Sequence, residues 1–177
     1  AADAQTKLSV TGAGRLYPIA VPQLCAPAGE SGAAREIPRI IARDLQLSGY
    51  FDVLNPESYI ETPGKCLAPD EMAYSDWSVI GVEGLVRGTV QHEGGMIRVA
   101  MYLHDVQVHK VVLGKEYVGE ESRAKDIAHK FANEILKYFT GEEGVFGSQI
   151  VFSGKVGRFK ELFVMDMDGS NVRQLTN

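Results

Sequence analysis

The sequence predicts an α/β domain followed by a short all-β tail. Three observations predict it. A strand, an amphipathic helix and a second strand follow one another closely before Pro56; three consecutive β segments then lead into a second long helix; and from Glu142 onward the chain holds only short β runs and turns. The 177 residues carry 18 Lys and Arg against 23 Asp and Glu, a net charge of −5, with 45% hydrophobic and 23% charged residues. That balance belongs to a globular chain. The acidic excess argues against nucleic acid as a partner, since such binders concentrate Lys and Arg against phosphates. Apolar runs such as Val99 to Leu103 are strand-sized, whereas a membrane helix needs roughly 18 apolar residues. No direct membrane insertion is expected.

Residues 1–14 are small and polar apart from the alternating pair Leu8 and Val10, and read as a flexible lead-in. Leu16 to Val21 is β-permissive, with Pro18 and Pro22 expected to mark its limits because proline gives no N–H to a ladder. Ile37, Ile40, Ile41 and Leu45 then recur at helical spacing, with Arg39, Arg43 and Asp44 assigned to other faces. Pro38 is expected in the first turn of that helix and Gly49 at its left-handed end. Phe51 to Leu54 completes a βαβ unit, whose two strands should lie parallel. A second, shorter helix is expected from a cap at Asp70, with Met72, Ala73, Trp77 and Ile80 as its apolar positions.

Three strands follow, Gly84 to Gln91, Met96 to His104 and Lys110 to Val118, joined by the hairpin signal Glu93-Gly94-Gly95 and by Asp105 to His109. In the middle strand Ile97, Val99, Met101 and Leu103 alternate with Met96, Arg98, Ala100 and Tyr102, so one set should be buried. The last helix runs from about Ser122 to Phe139 on the stripe Ile127, Phe131, Ile135 and stops at Thr140-Gly141. Beyond it, Ile150 to Ser153, Leu162 to Asp166 and Val172 to Leu175 are short β runs. A sheet that small is marginal alone, and its open edges should fray or seek a neighbour.

Little in the chain points to chemistry. His92, His104, His109 and His129 show no HxH or HExxH spacing, and no Gly-x-Ser-x-Gly elbow or complete dinucleotide loop occurs. The reading is no catalytic residue, no metal and no cofactor. The two cysteines, Cys25 and Cys66, are consistent with one bridge in an oxidising compartment or two buried thiols in a reducing one. Ala1-Ala2-Asp3-Ala4 is small-residue-rich like the flank of a signal-peptidase cut, which suggests an exported mature chain.

The string LFVMDMDGSNVRQLT, Leu162 to Thr176, resembles the blade motif of TolB-type β-propellers. In it Asp168 and Gly169 supply the polar, φ-positive residues of a tight hairpin, and Asp166 and Asn171 belong to the same blade turn. GRLYPIAVPQL from Gly14, IPRIIARDLQLSGYFDVLNP from Ile37, DWSVIGVEGLVRGTV from Asp76 and FTGEEGVFGSQIVF from Phe139 resemble, in order, segments of the TolB amino-terminal domain. The collinearity of these matches along nearly the whole chain is what identifies the family.

That resemblance implies a mixed five-stranded sheet of order 2-1-3-4-5, strand 4 antiparallel, packed with about three helices and followed by an incomplete propeller blade. The implied divisions are a lead-in over 1–14, the α/β domain over 15–143 and a first-blade fragment over 144–177. It further implies a non-enzymatic periplasmic component of the Tol-Pal system in a Gram-negative bacterium. Such a component links a TolA-like inner-membrane protein to the outer-membrane lipoprotein Pal, and supports envelope integrity and cell division. The family's TolA epitope maps onto Lys7, Leu8, Ser9, Val10 and Thr11, a stretch able to add as a strand to a partner's sheet. Pal binding belongs to the full propeller, so it is expected to be absent or crippled in a chain that stops at Asn177. Parallel strands place Cys25 and Cys66 at the same end of the sheet, and with export the expectation becomes a disulfide, the alternative being two unpaired thiols. The competing functional reading is the front module of a propeller-bearing serine peptidase.

Overall fold

A computed structural model describes residues 14–29, 31–67 and 71–177. Its main sheet has five strands in the order β2-β1-β3-β4-β5. These are β1 (Tyr17–Ala20), β2 (Phe51–Val53), β3 (Gly84–Glu93), β4 (Met96–Asp105) and β5 (Lys110–Glu120). β1 runs parallel to both β2 and β3, and β4 is antiparallel to β3 and β5. The expected order and the expected reversal of the fourth strand are both present.

Helix α1 (Gly32–Ser48) begins where Ser31 Oγ accepts the Ala34 N–H at 3.3 Å and ends at Gly49, whose φ of 73° is left-handed. Pro38 is not in the first turn but at the seventh helical position. The ring removes the N–H that would have bonded the Ala34 carbonyl. Leu24 N donates to that carbonyl at 3.0 Å instead, so the segment after β1 replaces the missing helical bond. Asp44 also departs from expectation: it is buried, because three residues beyond Ile41 and seven beyond Ile37 is the core-facing stripe.

The short second helix, α2 (Tyr74–Val79), starts after Met72 and Ala73 rather than with them, and Asp70 lies outside the described residues. α3 (Ala124–Thr140) follows a 3-10 turn at Glu121–Arg123 and ends at Gly141, again left-handed with φ 77°. α1 and α3 cover one face of the sheet. Ile37, Ile41 and Leu45 meet Phe131 and Ile135 over Ile97, Val99, Met101 and Leu103, and all of these are essentially inaccessible to water. The β4 alternation therefore has the expected face buried.

On the other face, Trp77 of α2 packs with Ala20, Val82, Leu85 and Val106, and Tyr59 sets its ring edge-on to Trp77. This second cluster covers only part of that face; Tyr102, Val111 and Val118 remain half-exposed. The β3–β4 hairpin closes through Gly94 and Gly95 at φ 57° and 86°, the paired positive values a two-residue turn of matching twist requires. Gly88 is dictated by proximity: a Cβ there would run into the Ala100 carbonyl oxygen on β4.

The tail forms its own antiparallel sheet of three strands, β6 (Gln149–Val156), β7 (Phe159–Asp166) and β8 (Arg173–Gln174). β6 and β7 extend beyond their apolar runs because pairing between backbones carries the hairpin to the turn at Gly157.

Candidate functional site

The turn between β7 and β8 gathers Asp166, Asp168, Gly169 and Asn171. Gly169 N donates to the Asp166 carbonyl at 2.8 Å, and Asp166 N donates to the Ser170 carbonyl at 2.9 Å. Asp168 Oδ1 accepts from Ser170 N at 2.8 Å, making the local carboxylate turn that aspartate favours. Gly169 and Asn171 take the left-handed conformation at φ 80° and 53°, and Asn171 Nδ2 reaches back to the Asp166 carboxylate at 2.7 Å.

Two helices of the main domain grip this turn. Lys125 Nζ of α3 lies 2.6 Å from Asp166 Oδ2. Arg43 of α1 donates to the Asp168 carbonyl and pairs with its carboxylate, each at 3.0 Å. Met167, between them, packs against the main core, and its N–H donates to the Ser148 carbonyl at 3.1 Å. The Lys125 ammonium, with the Asn171 and Gln149 amides, holds the Asp166 carboxyl well below the usual carboxylate range. The Ser170 hydrogen bonds and the Arg43 charge lower that of Asp168. Lys125 is raised in turn by its bond to Asp166.

Beneath the turn is a cavity of about 280 Å³ that also meets Asp44, His129 and Phe146. His129 Nδ1 stands 2.6 Å from Asp44 Oδ2 with both side chains largely buried. A carboxylate only accepts, so the imidazole donates from Nδ1. The connecting segment is fixed by Asn133, which accepts from Phe146 N and donates to its carbonyl, each at 3.0 Å. Gly144 lets that segment pass, since a Cβ would overlap the Asn133 amide. The arrangement is a clamp: every carboxylate of the turn already has a donor, and the cations that meet it come from α1 and α3.

The clamp residues Arg43, Asp44, Lys125 and Asn133 were not legible as a group, being 125 residues apart at the extreme of Arg43 and Asp168. The one available signal was Asp44, a carboxylate on an apolar helical stripe, which demands a buried polar partner. Cys25 and Cys66 are joined in a disulfide with their Cα atoms 4.9 Å apart. Lys7, Leu8, Ser9, Val10 and Thr11 lie outside the described residues. Among the described residues no three His, Cys, Asp or Glu side chains are grouped as metal ligands, and no helix is long and apolar enough to cross a membrane.

The clamp implies a pH dependence. Carboxylates with lowered folded pKa values are ionised in the folded protein at a pH where the unfolded chain already takes up protons. Their stabilisation is therefore present above about pH 4 and is lost as pH falls below it. Asp166→Asn should cost about 1–2 kcal/mol at neutral pH. In urea titrations between pH 3 and 6, the gap between Asp166→Asn and the parent should shrink as pH falls below about 4.

A family model described as the TolB amino-terminal domain matches residues 7–112. Tol-Pal system protein TolB of Syntrophotalea carbinolica is 35% identical over 147 residues, covering 81% of this chain and 34% of that protein. Tol-Pal system protein TolB of Cereibacter sphaeroides is 37% identical over 166 residues, covering 90% of this chain and 37% of that one. The crystal structure of TolB from Acinetobacter baumannii matches with a TM-score of 0.72 at 21% identity, over 93% of this chain and 39% of that chain. That likeness speaks for the fold. The chain spans roughly a third of the length of these curated relatives.

Proposed function

The chain belongs to the TolB family of Tol-Pal system proteins, and from that premise we propose that it is the front part of a non-enzymatic periplasmic adaptor. The adaptor would link a TolA-like inner-membrane protein to the outer-membrane lipoprotein Pal, and so support envelope integrity and cell division. The observation that carries this reading is a family match that begins at residue 7 and continues to 112, alongside relatives named as Tol-Pal system proteins. The peptidase alternative draws no support from those relatives.

In this reading residues 1–14 are the partner-binding lead-in, 15–143 the α/β domain and 144–177 the opening of a propeller whose remaining blades carry Pal binding. The turn at Asp166, Asp168, Gly169 and Asn171 is the first blade's turn, and its clamp to α1 and α3 would set the angle between the two parts. Lys7, Leu8, Ser9, Val10 and Thr11 bind TolA by adding a strand, where backbone hydrogen bonds give affinity and alternate side chains give specificity.

Deleting residues 1–13 tests the assignment. Calorimetric titration with the carboxy-terminal domain of a TolA-like protein should show binding to the parent and a loss of about 100-fold or more in the deletion, equivalent to about 2.7 kcal/mol. The melting temperature should be unchanged. Equal affinity in the two chains would overturn the assignment.

A further inference from the structure

Besides the clamp, the molecule carries a concave site on the incompletely covered face of the main sheet. Its volume is about 290 Å³. Arg87 of β3, Tyr102 of β4 and Val111 of β5 form the floor, and Lys65, Leu67 and Met72 form the wall. We propose that this pocket binds the last residue of an extended peptide, taking a bulky apolar side chain onto Tyr102 and Val111 and its terminal carboxylate at Lys65 and Arg87.

Charge is the first argument. In a chain of net charge −5, the pocket is lined by Lys65 and Arg87 and by no Asp or Glu among the described residues. The Lys65 ammonium has no carboxylate partner among those residues. Arg87 is held from behind: its guanidinium meets Glu61 at 2.6 Å with both side chains mostly buried, which fixes its direction. A fixed guanidinium beside an exposed ammonium suits a carboxylate.

Rigidity is the second. The Lys65 end of the wall is tied down by the neighbouring Cys25–Cys66 disulfide. Cys25 is itself bonded into β3, its N–H donating to the Gly88 carbonyl at 2.9 Å and its carbonyl accepting from Val90 N at 2.8 Å. His104, in the lining, is held by Tyr74, whose Oη meets its Nδ1 at 2.9 Å. The Tyr102 ring lies across Gly114, where a Cβ would come within 3.1 Å of it, so the glycine keeps the floor flat. A pre-formed floor and an anchored Lys65 reduce the ordering cost of binding.

Size and position identify the occupant. At about 290 Å³ the pocket is at the low end for ligand sites, with room for one large side chain. β5 is the outer strand of the sheet, and no described strand pairs with its far edge. That edge starts at Lys110, one residue before Val111 on the pocket floor. It offers the backbone of an incoming peptide a row of hydrogen bonds, as in strand addition.

Three ligands test this by amide-resolved NMR titration of the intact chain: acetyl-Gly-Ser-Val-Ser-Thr-Phe with a free carboxylate, the same hexapeptide as its carboxamide, and N-acetylphenylalanine. The free acid should shift Arg87, Tyr102 and Val111 together with β5 edge amides. The carboxamide should bind at least about tenfold more weakly, about 1.4 kcal/mol. N-acetylphenylalanine should also bind at least about tenfold more weakly, because it leaves the β5 edge unused. Lys65→Gln, at an exposed site, should weaken the free acid about fivefold or more without changing the melting temperature. Equal affinity of acid and carboxamide, an unchanged Lys65→Gln, shifts confined to other residues, or N-acetylphenylalanine binding as tightly as the hexapeptide would each overturn the proposal.

Discussion

Removing the Cys25–Cys66 disulfide should lower the free energy of unfolding by about 4 kcal/mol. The bridge joins residues 41 apart in sequence, and closing a loop of that length in the unfolded chain removes about that much entropy at 25 °C. In a domain of this size each kcal/mol moves the melting temperature by roughly 2–4 °C, so a fall of about 8–16 °C is expected. Thermal melts of the Cys25→Ser/Cys66→Ser variant, and of the parent with and without reductant, measure it. The reductant should lower the parent to the level of the variant and leave the variant unmoved. A parent that melts within a degree of the variant would mean that the buried Arg87–Glu61 pair and the Tyr59–Trp77 contact already hold the intervening loop in place.

Phe131→Ala is the second large effect, with an expected loss of about 3–5 kcal/mol. Phe131 is 0% exposed, on the side of α3 that faces α1 and the sheet. Close-packed neighbours such as Ile41 and Ile135 cannot collapse into the space without moving a helix. Phe139 provides the comparison. Its ring lies tilted 4.4 Å from that of Tyr17 and edge-on 5.3 Å from that of Phe51, yet it is 37% exposed. Phe139→Ala should therefore cost about 1–2 kcal/mol, since it opens to water rather than to a void. Urea titration of both variants, read at unchanged slope, separates them. Equal losses would mean that the interior of the α1–α3 seam is not the main source of stability.

The legible parts of the fold share a cause. The alternation in β4, the apolar stripes of α1 and α3, and Gly49, Gly94, Gly95 and Gly141 at left-handed positions are all set by the period of the backbone or by what a side chain forbids at positive φ. The misread parts also share one. Pro38 sits deep in α1 because Leu24, from another segment, bonds the carbonyl that proline strands. Asp44 is buried because His129, 85 residues away, meets it. In both cases a local preference was overridden by a partner that one-dimensional spacing does not contain.

The candidate sites divide in the same way. Asp166, Asp168, Gly169 and Asn171 stood out because their turn is closed by hydrogen bonds within a few residues. That Lys125 and Arg43 hold the turn against the domain could only come from three dimensions. So could the pocket between Lys65 and Val111, whose floor comes from three strands and whose wall comes from a loop. The sequence by itself determined the α/β class, the helix and strand order and the family, because those depend on periodicity and on collinear local motifs. Which charges meet, and which face of the sheet stays open, was decided by tertiary structure alone, because ion pairs and uncovered surfaces depend on distances that folding creates.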